Sequence, residues 1–389
     1  MLSEKSSIYT LQFALLCLSS LLFSASFNML IPELPAYLSS LGGAEHKGLI
    51  IALFTITAGI SRPFSGKLTD TIGRVPVMAV GSIVCFVCGF LYPVLSSVAG
   101  FLFLRLLHGF STGFKPTATA AYVADLVPVD RRGEALGIHG LCFSTGMALG
   151  PAIGSAITLY YSINILFYCS SAFALLSILI IMNMKETVNE KQAFKFGLLK
   201  MQRNELVEWK VFPAAFVTFL SYMSYGAMLT VVPDWSEHLG IANKGLFFMT
   251  FTISSVLIRF VSGKASDKYG RVRVLKIASV VLIASLVMIG KAESMSALLI
   301  ASTIYGIATG ILSPAYNAWT IDLSHPERRG MAVATMYIAL EAGIGLGAFL
   351  AGWFYQDLPG RIPMVFYASA GFVVLSLIYL LFYKKEAEL

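Results

Sequence analysis

Charge is scarce in this chain of 389 residues: Lys, Arg, Asp and Glu make up 13% of it and hydrophobic residues 57%, where a soluble globular protein carries about 25% charge. That composition argues against a water-soluble enzyme or a DNA-binding protein, and the formal net charge of +7 is no nucleic-acid footprint until its positions are known. Cysteine is scarce as well. Cys17, Cys85, Cys88, Cys142 and Cys169 all lie in apolar stretches, which argues against a secreted disulfide scaffold. Cys85 and Cys88 have CxxC spacing, but no second pair accompanies them and they read as core. His46, His108, His139, His238 and His325 have no metal-ligand spacing. A phosphate loop is missing too: Ser65-Gly66-Lys67 and Ser262-Gly263-Lys264 lack its first glycine, because Ser61 and Ile258 stand there. Gly343-Ile344-Gly345-Leu346-Gly347 sits inside an apolar run rather than after a soluble strand, so it reads as helix packing and not as a dinucleotide site.

Long apolar runs are what the sequence does contain. Crossing a hydrocarbon core of ~30 Å takes about 20 apolar residues in a helix, and such runs begin near Gln12, Gly48, Val75, Phe101, Ala135, Ile163, Phe212, Gly245, Val274, Ser296, Met331 and Pro363. The reading is an all-α membrane protein of twelve transmembrane helices. The first run is expected to continue to Tyr37 and, lacking a clear small-residue cleavage site, to stay in the mature chain. Basic residues fill alternate linkers: Lys67 with Arg74, Arg131 with Arg132, Lys185 to Lys210, Lys264 to Lys276, and Arg328 with Arg329. The others offer only Lys47, Lys244, Lys291 and Arg361. The positive-inside rule then puts both termini in the cytoplasm of a multi-pass plasma or inner-membrane protein.

The chain also repeats itself. Gly66, Asp70, Gly73 and Arg74 recur as Gly263, Asp267, Gly270 and Arg271, each 197 residues on (263 − 66 = 271 − 74). The same offset carries Gly109 to Gly306, Gly113 to Gly310, Asp125 to Asp322, Gly146 to Gly343 and Gly150 to Gly347. Two pseudo-symmetric six-helix halves follow, residues 1–184 and 212–389, joined by a lysine-rich cytoplasmic linker at 185–211, with a pathway expected at their interface.

These residues resemble the signatures of the major facilitator superfamily over nearly the whole chain. Gly66-xxx-Asp70-Thr71-x-Gly73-Arg74 is similar to that family's cytoplasmic loop, with Thr71 where a base is usual; Gly263 to Arg273 fits it fully. The resemblance implies a conformational latch built on Asp70, Gly66, Gly73, Arg74, Asp267 and Arg271. In span five, Gly146, Gly150, Pro151 and Gly154 resemble the glycine-proline pattern of the proton-driven drug and metabolite antiporters, which also admits a pure packing reading. Arg105-Leu106-Leu107-His108-Gly109 resembles a third signature in which the arginine is linked to proton coupling, with His108 in place of glutamine.

Intramembrane ionisable groups are costly and mark function. At 1.5 Å per residue, Lys115 lies about 15 Å and Arg105 about 30 Å inside the Asp125 end of span four, and Glu341 about 18 Å deep in span eleven. Glu341 is the first proton-carrier candidate, followed by Glu33 and Asp234, with Arg105 and His108 assisting. Glu33 and Asp234, each after a proline near an outer end, also admit an interfacial, solvated reading. Lys115 has three readings: paired with Glu341, meeting an anionic group of the substrate, or snorkelling to the interface. Substrate-binding candidates are Lys115, Phe27, Asn28, Tyr222, Tyr225, Tyr316, Asn317 and Tyr337, on helices that line the cavity in the family resembled. The expectation is a proton-coupled antiporter exporting a drug or metabolite, anionic or zwitterionic if Lys115 binds it. A symporter or facilitator importing an organic anion is the alternative, and an embedded enzyme or a non-transporting sensor the rival class. No cofactor is called for beyond a proton gradient. The expected partners are the small-molecule substrate, protons and the bilayer, not nucleic acid, and a monomer is expected.

Overall fold

The computed structural model describes residues 10–128, 131–188, 191–199, 207–325 and 328–383. They form α1 (Leu11–Asn28), α2 (Leu34–Ser40), α3 (Lys47–Thr71), α4 (Arg74–Leu91), α5 (Val98–Leu126), α6 (Arg132–Tyr160) and α7 (Ile163–Met182). After the linker follow α8 (Phe212–His238), α9 (Gly245–Tyr269), α10 (Arg271–Gly290), α11 (Met295–Leu323), α12 (Arg329–Tyr355) and α13 (Ile362–Phe382). Each long helix starts within a few residues of an apolar run. Among the described residues 11 helices are long and apolar enough to cross a membrane. The long helix outside that set is α5, whose apolarity is interrupted by Arg105, His108 and Lys115.

The first run does not reach Tyr37 as one helix. It breaks after Asn28 and resumes as α2, because Pro32 has no N–H to give and its ring obstructs the preceding turn. The break is bridged by tightened bonds from Ile31 N to the Asn28 carbonyl at 3.2 Å and from Glu33 N to the Leu30 carbonyl at 3.0 Å. By contrast, α8 runs unbroken through Pro233.

The chain divides into two compact units, one of residues 1–42 and 56–202, the other of residues 43–55 and 203–389. One helix, α3, gives its first turns to the second unit and the rest to the first. Within the first unit α1 packs on α6 and α7, and α4 on α5 and α7. The second pairs α8 with α12 and α13, and α11 with α9 and α10. The 197-residue offset is visible in detail. Ser97 caps α5 by accepting from Gly100 N at 3.1 Å, and Ser294 caps α11 by accepting from Ala297 N at 3.3 Å. Ser65 donates to the Gly113 carbonyl at 2.7 Å, and Ser262 to the Gly310 carbonyl at 3.4 Å.

Glycine positions let these helices lie backbone to backbone. A Cβ at Gly146 would overlap the backbone of α1 at Leu21, one at Gly154 the backbone of Met29 just past its end, and one at Gly150 would be pressed tightly against Ala25. One at Gly343 or Gly347 would overlap α8 at Phe219 and Met223. In lipid, where apolar side chains gain little by leaving their surroundings, such close approach is one of the sources of helix association, beside interhelical hydrogen bonds. Large apolar groups such as Leu257 and Phe260 are 62% and 69% exposed, as a lipid-facing surface requires.

Candidate functional site

The repeated loops form matching charge clusters. In the first unit Arg74 donates to Asp70 at 2.7 Å, to Asp125 at 3.1 Å and to the Thr69 carbonyl at 2.6 Å. In the second, Arg271 binds Asp267 and donates to Asp322 at 3.0 Å and to Ser266 at 3.2 Å. Gly73 and Gly270 have φ of 120° and 88°, a region closed to residues with a Cβ in practice, so these two glycines are required by the turn itself. Gly66 has open space around its Cβ position, and steric need does not explain it. The first cluster is extended by the linker: Thr187 donates to Asp125 at 2.6 Å, and Glu186 receives the backbone N–H groups of Arg74 and Val75 at 3.0 and 3.1 Å.

A polar network occupies the interior of the first unit. Lys115, 1% exposed, donates to the Ser19 carbonyl at 3.0 Å and hydroxyl at 2.9 Å, and also to the Ser177 hydroxyl. Its amine lies 4.6 Å from the Phe23 ring centre, a cation–π contact. The snorkelling reading therefore fails: the amine turns into the α1–α7 packing rather than toward an interface. An anionic substrate group would have to displace these acceptors. Further along, His108 Nδ1 lies 3.0 Å from the Tyr92 hydroxyl and Nε2 3.2 Å from Cys85 Sγ, while Arg105 donates to Tyr92 at 3.4 Å. Arg105 and His108, brought together with Tyr92, are 2% and 0% exposed. Among the substrate candidates, Phe27 packs edge-on to Phe23 at 5.4 Å, and Asn28 spends its amide on the Ser24 carbonyl at 2.8 Å.

In the second unit a tyrosine cluster takes the place of these bases. Tyr222 lies 6.0 Å from Tyr225 and 6.5 Å from Tyr316 between ring centres, and Tyr316 shares a 2.7 Å hydrogen bond with Ser221. Tyr305 and Thr309 join them around a narrow cleft. Glu341 lies within electrostatic reach of Tyr222 and Tyr225, and Tyr337 of Tyr222. Asn317 donates to the Ser313 carbonyl at 3.0 Å. His108 and Tyr305 are 197 positions apart (305 − 108), so the two repeats place a base and a phenol at equivalent points.

The solvated reading of the two proline-linked acids also fails. Glu33 is 6% exposed and accepts a 2.6 Å bond from Ser155. Asp234, 9% exposed in its side chain, meets Lys47 at 2.6 Å, and Lys47 also meets Asp357 at 2.5 Å. Lys47 and Asp357 escaped the sequence reading because each sat in a linker as an ordinary surface charge. The available signal was Lys47 standing directly before Gly48 at the head of an apolar run. Among the described residues, no group of three or more His, Cys, Asp or Glu side chains is placed to hold a metal.

The Major Facilitator Superfamily profile matches residues 16–213 and 214–389. The multi-drug resistance efflux pump PmrA of Streptococcus pneumoniae is 30% identical over 310 residues, 76% of this chain and 77% of that protein. Multidrug resistance protein 2 of Bacillus subtilis is 27% identical over 367 residues, covering 90% and 88% of the two chains. Among solved structures, the human organic anion transporter MFSD10 aligns with a TM-score of 0.69 at 20% identity, covering 95% of this chain and 98% of that one. A D-xylose–proton symporter aligns with a TM-score of 0.75 at 16% identity, covering 96% and 97%. With twelve long helices among the described residues, two repeats each bearing the same glycine–aspartate–arginine turn, and a profile matching both halves, the chain belongs to the Major Facilitator Superfamily and is a multi-pass membrane transport protein.

Proposed function

We propose that the protein exports small organic compounds, drugs or metabolites, in exchange for protons, by alternating access of its two halves. The observation that carries this reading is the mid-helix carboxylate Glu341, 8% exposed, within electrostatic reach of the phenols of Tyr222 and Tyr225. An ionisable group buried within a membrane span marks function, and the aromatic faces can hold a partly apolar compound. The similarity to the multi-drug resistance efflux pump PmrA, and to a multidrug resistance protein of Bacillus subtilis, supports the outward direction. Glu341 is the first proton carrier, with Glu33 and Asp234 behind it and Arg105 and His108 in support. The tyrosines with Phe27, Asn28, Asn317 and Tyr337 supply the substrate site. The Asp70–Arg74 and Asp267–Arg271 turns act as latches at the basic, cytoplasmic ends, residues 185–211 tether the halves, and a monomer completes the cycle.

The test is transport of a fluorescent lipophilic dye, and separately of an organic anion, by purified protein in proteoliposomes under an imposed proton gradient. Dye movement against the proton flow is expected. Glu341→Gln should abolish the gradient dependence while dye binding persists. Movement of substrate with the protons would reverse the proposed direction, and an unchanged gradient dependence in Glu341→Gln would pass the carrier role to another acid.

A further inference from the structure

At the end of the second unit opposite its charged turn, three ionisable side chains converge outside the three signatures described above. Lys47, at the head of α3, is 5% exposed in its side chain; it lies 2.6 Å from Asp234 of α8 and 2.5 Å from Asp357, two residues past α12. Tyr355 completes the cluster, donating to Asp357 at 3.3 Å and reaching Asp234 with the same hydroxyl, with its ring centre 5.5 Å from the amine. These are the titratable groups facing Lys47 from the packed elements. Its neighbours Glu45 and His46 pair with each other at 3.4 Å, and Arg361 is spent on Gln356 at 2.7 Å.

Two further observations bear on what the cluster does. Gln356 and Asp357 have φ of 48° and 58°, a left-handed conformation that residues other than glycine adopt at an energetic cost and that gathers at switches and clamps. Here it turns Asp357 back onto Lys47. Next to the lysine, Gly48 and Gly352 touch backbone to backbone: a Cβ on Gly48 would come within 2.6 Å of the Ala348 carbonyl and 3.1 Å of Gly352 Cα. Ile50, Ile51 and Ala52 of the same turns are buried as well, so apolar packing and the charges together hold the head of α3, and the Lys47 pairs are the part that acid can remove. The helix so held is the one whose remaining turns belong to the other unit.

We propose that Lys47 is the positioning residue of a proton-responsive closure: with Asp234 and Asp357 ionised it pins the head of α3 to α8 and α12, and neutralising Asp234 frees it. The inference deepens the reading of the chain as a proton-driven transporter, and it assigns Asp234 to gating rather than to carrying the proton alone. The Lys47–Asp234 pair is nearly buried on both sides, whereas Asp357 is 41% exposed in its side chain. A buried pair is weakly screened and depends on both partners staying charged, so acid acts on it by removing the carboxylate charge of Asp234.

The experiment uses full-length protein in lipid nanodiscs, with Cys142 and Cys169 replaced by serine and spin labels at Glu45→Cys and Gly360→Cys. A side chain at position 360 meets open space. Near neutral pH one short-distance population is expected. Lowering the pH to about 5, toward the carboxylate range, should raise a longer-distance population severalfold. Asp234→Asn and Lys47→Met should show that population already at neutral pH, and Lys47→Arg should suppress it. A wild-type distribution indifferent to acid, or a Lys47→Met distribution like the wild type, overturns the proposal. If Lys47→Met does not fold, the acid response and Asp234→Asn decide alone. Dye transport is read separately in wild-type protein: distances that respond without gradient-driven export uphold the closure and refute the export reading, and export with unresponsive distances does the reverse.

Discussion

Glu186, the second residue of the linker, accepts the backbone N–H of Arg74 at 3.0 Å and so caps α4 from 112 positions away. Burial works against the charged carboxylate, but N–H donors from Val188, Arg74, Thr187 and Val75 outweigh it and hold the group below its usual range. A carboxylate at a helix N-terminus also meets the positive end of the helix dipole. Glu186→Gln should lower thermal stability in detergent, by about 1 kcal/mol as for other lost caps. Because the folded carboxyl is depressed, its stabilisation is complete above the ordinary glutamate value of about 4.3 and is lost as pH falls through the folded value. The melting difference between wild type and Glu186→Gln should therefore close under acid, and a constant difference would count against this assignment.

The latch has a sharper signature. Arg74 is shared between Asp70 and Asp125, so Asp70→Asn leaves the arginine one full charge partner and should spare expression and melting while cutting initial transport rates. The Asp70→Asn, Asp267→Asn double variant should be slower than either single one. Wild-type rates in both single variants would remove the latch role.

Glycines with the same motif status should respond differently. Gly347→Val places side-chain atoms into the Met223 backbone, and overpacking of this kind costs about 1–3 kcal/mol. Gly66→Ala meets open space and should melt like the wild type. Size-exclusion profiles and melting curves of the pair check this, and equal tolerance of both would contradict the backbone contact.

Lys115 sets up a test by shape. Ser19 and Ser177 already lie within 2.9 Å of each other through their hydroxyls, so Lys115→Met leaves neither without a partner and should fold. Lys115→Arg forces a larger planar head into a space with no exposure and should melt lower. Substrate affinity reads the rest: a loss in Lys115→Met, with folding intact, would restore an anion-binding role.

The helices and the twofold repeat were legible because both are periodic properties of the chain: apolar runs of bilayer length, and turns whose glycines and charges recur 197 positions apart. The Gly146–Gly154 face was legible as packing, since small residues one helical turn apart have few other uses. What escaped was pairing between distant segments. Nothing local to Lys47 says that Asp234 and Asp357 lie beside it, and nothing near Lys115 names Ser19 and Ser177. Depth alone misjudged Glu33 and Asp234, because a residue near a helix end is solvated only if no neighbouring helix covers it. The break after Asn28 was written in Pro32 but hidden by the apolar residues around it. Equivalent positions also diverge: a Cβ at Gly73 would strike Glu186 whereas one at Gly270 would meet nothing, so repeat symmetry predicts the turn but not what rests on it.

The polar interior of α5 bears on how the chain enters its membrane during synthesis. A lysine or arginine at the centre of an inserting helix opposes partition into lipid by about 2.5–3.5 kcal/mol, and α5 carries Lys115 near its middle with Arg105 a few turns away. The acceptors that satisfy Lys115 lie on α1, made before it, and on α7, made after. Until the segment carrying Ser177 has left the ribosome, α5 lacks part of what makes lipid tolerable to it. On that ground α5 is expected to be the helix of the first half that inserts least readily alone, gaining its last acceptor only when the segment two spans downstream arrives.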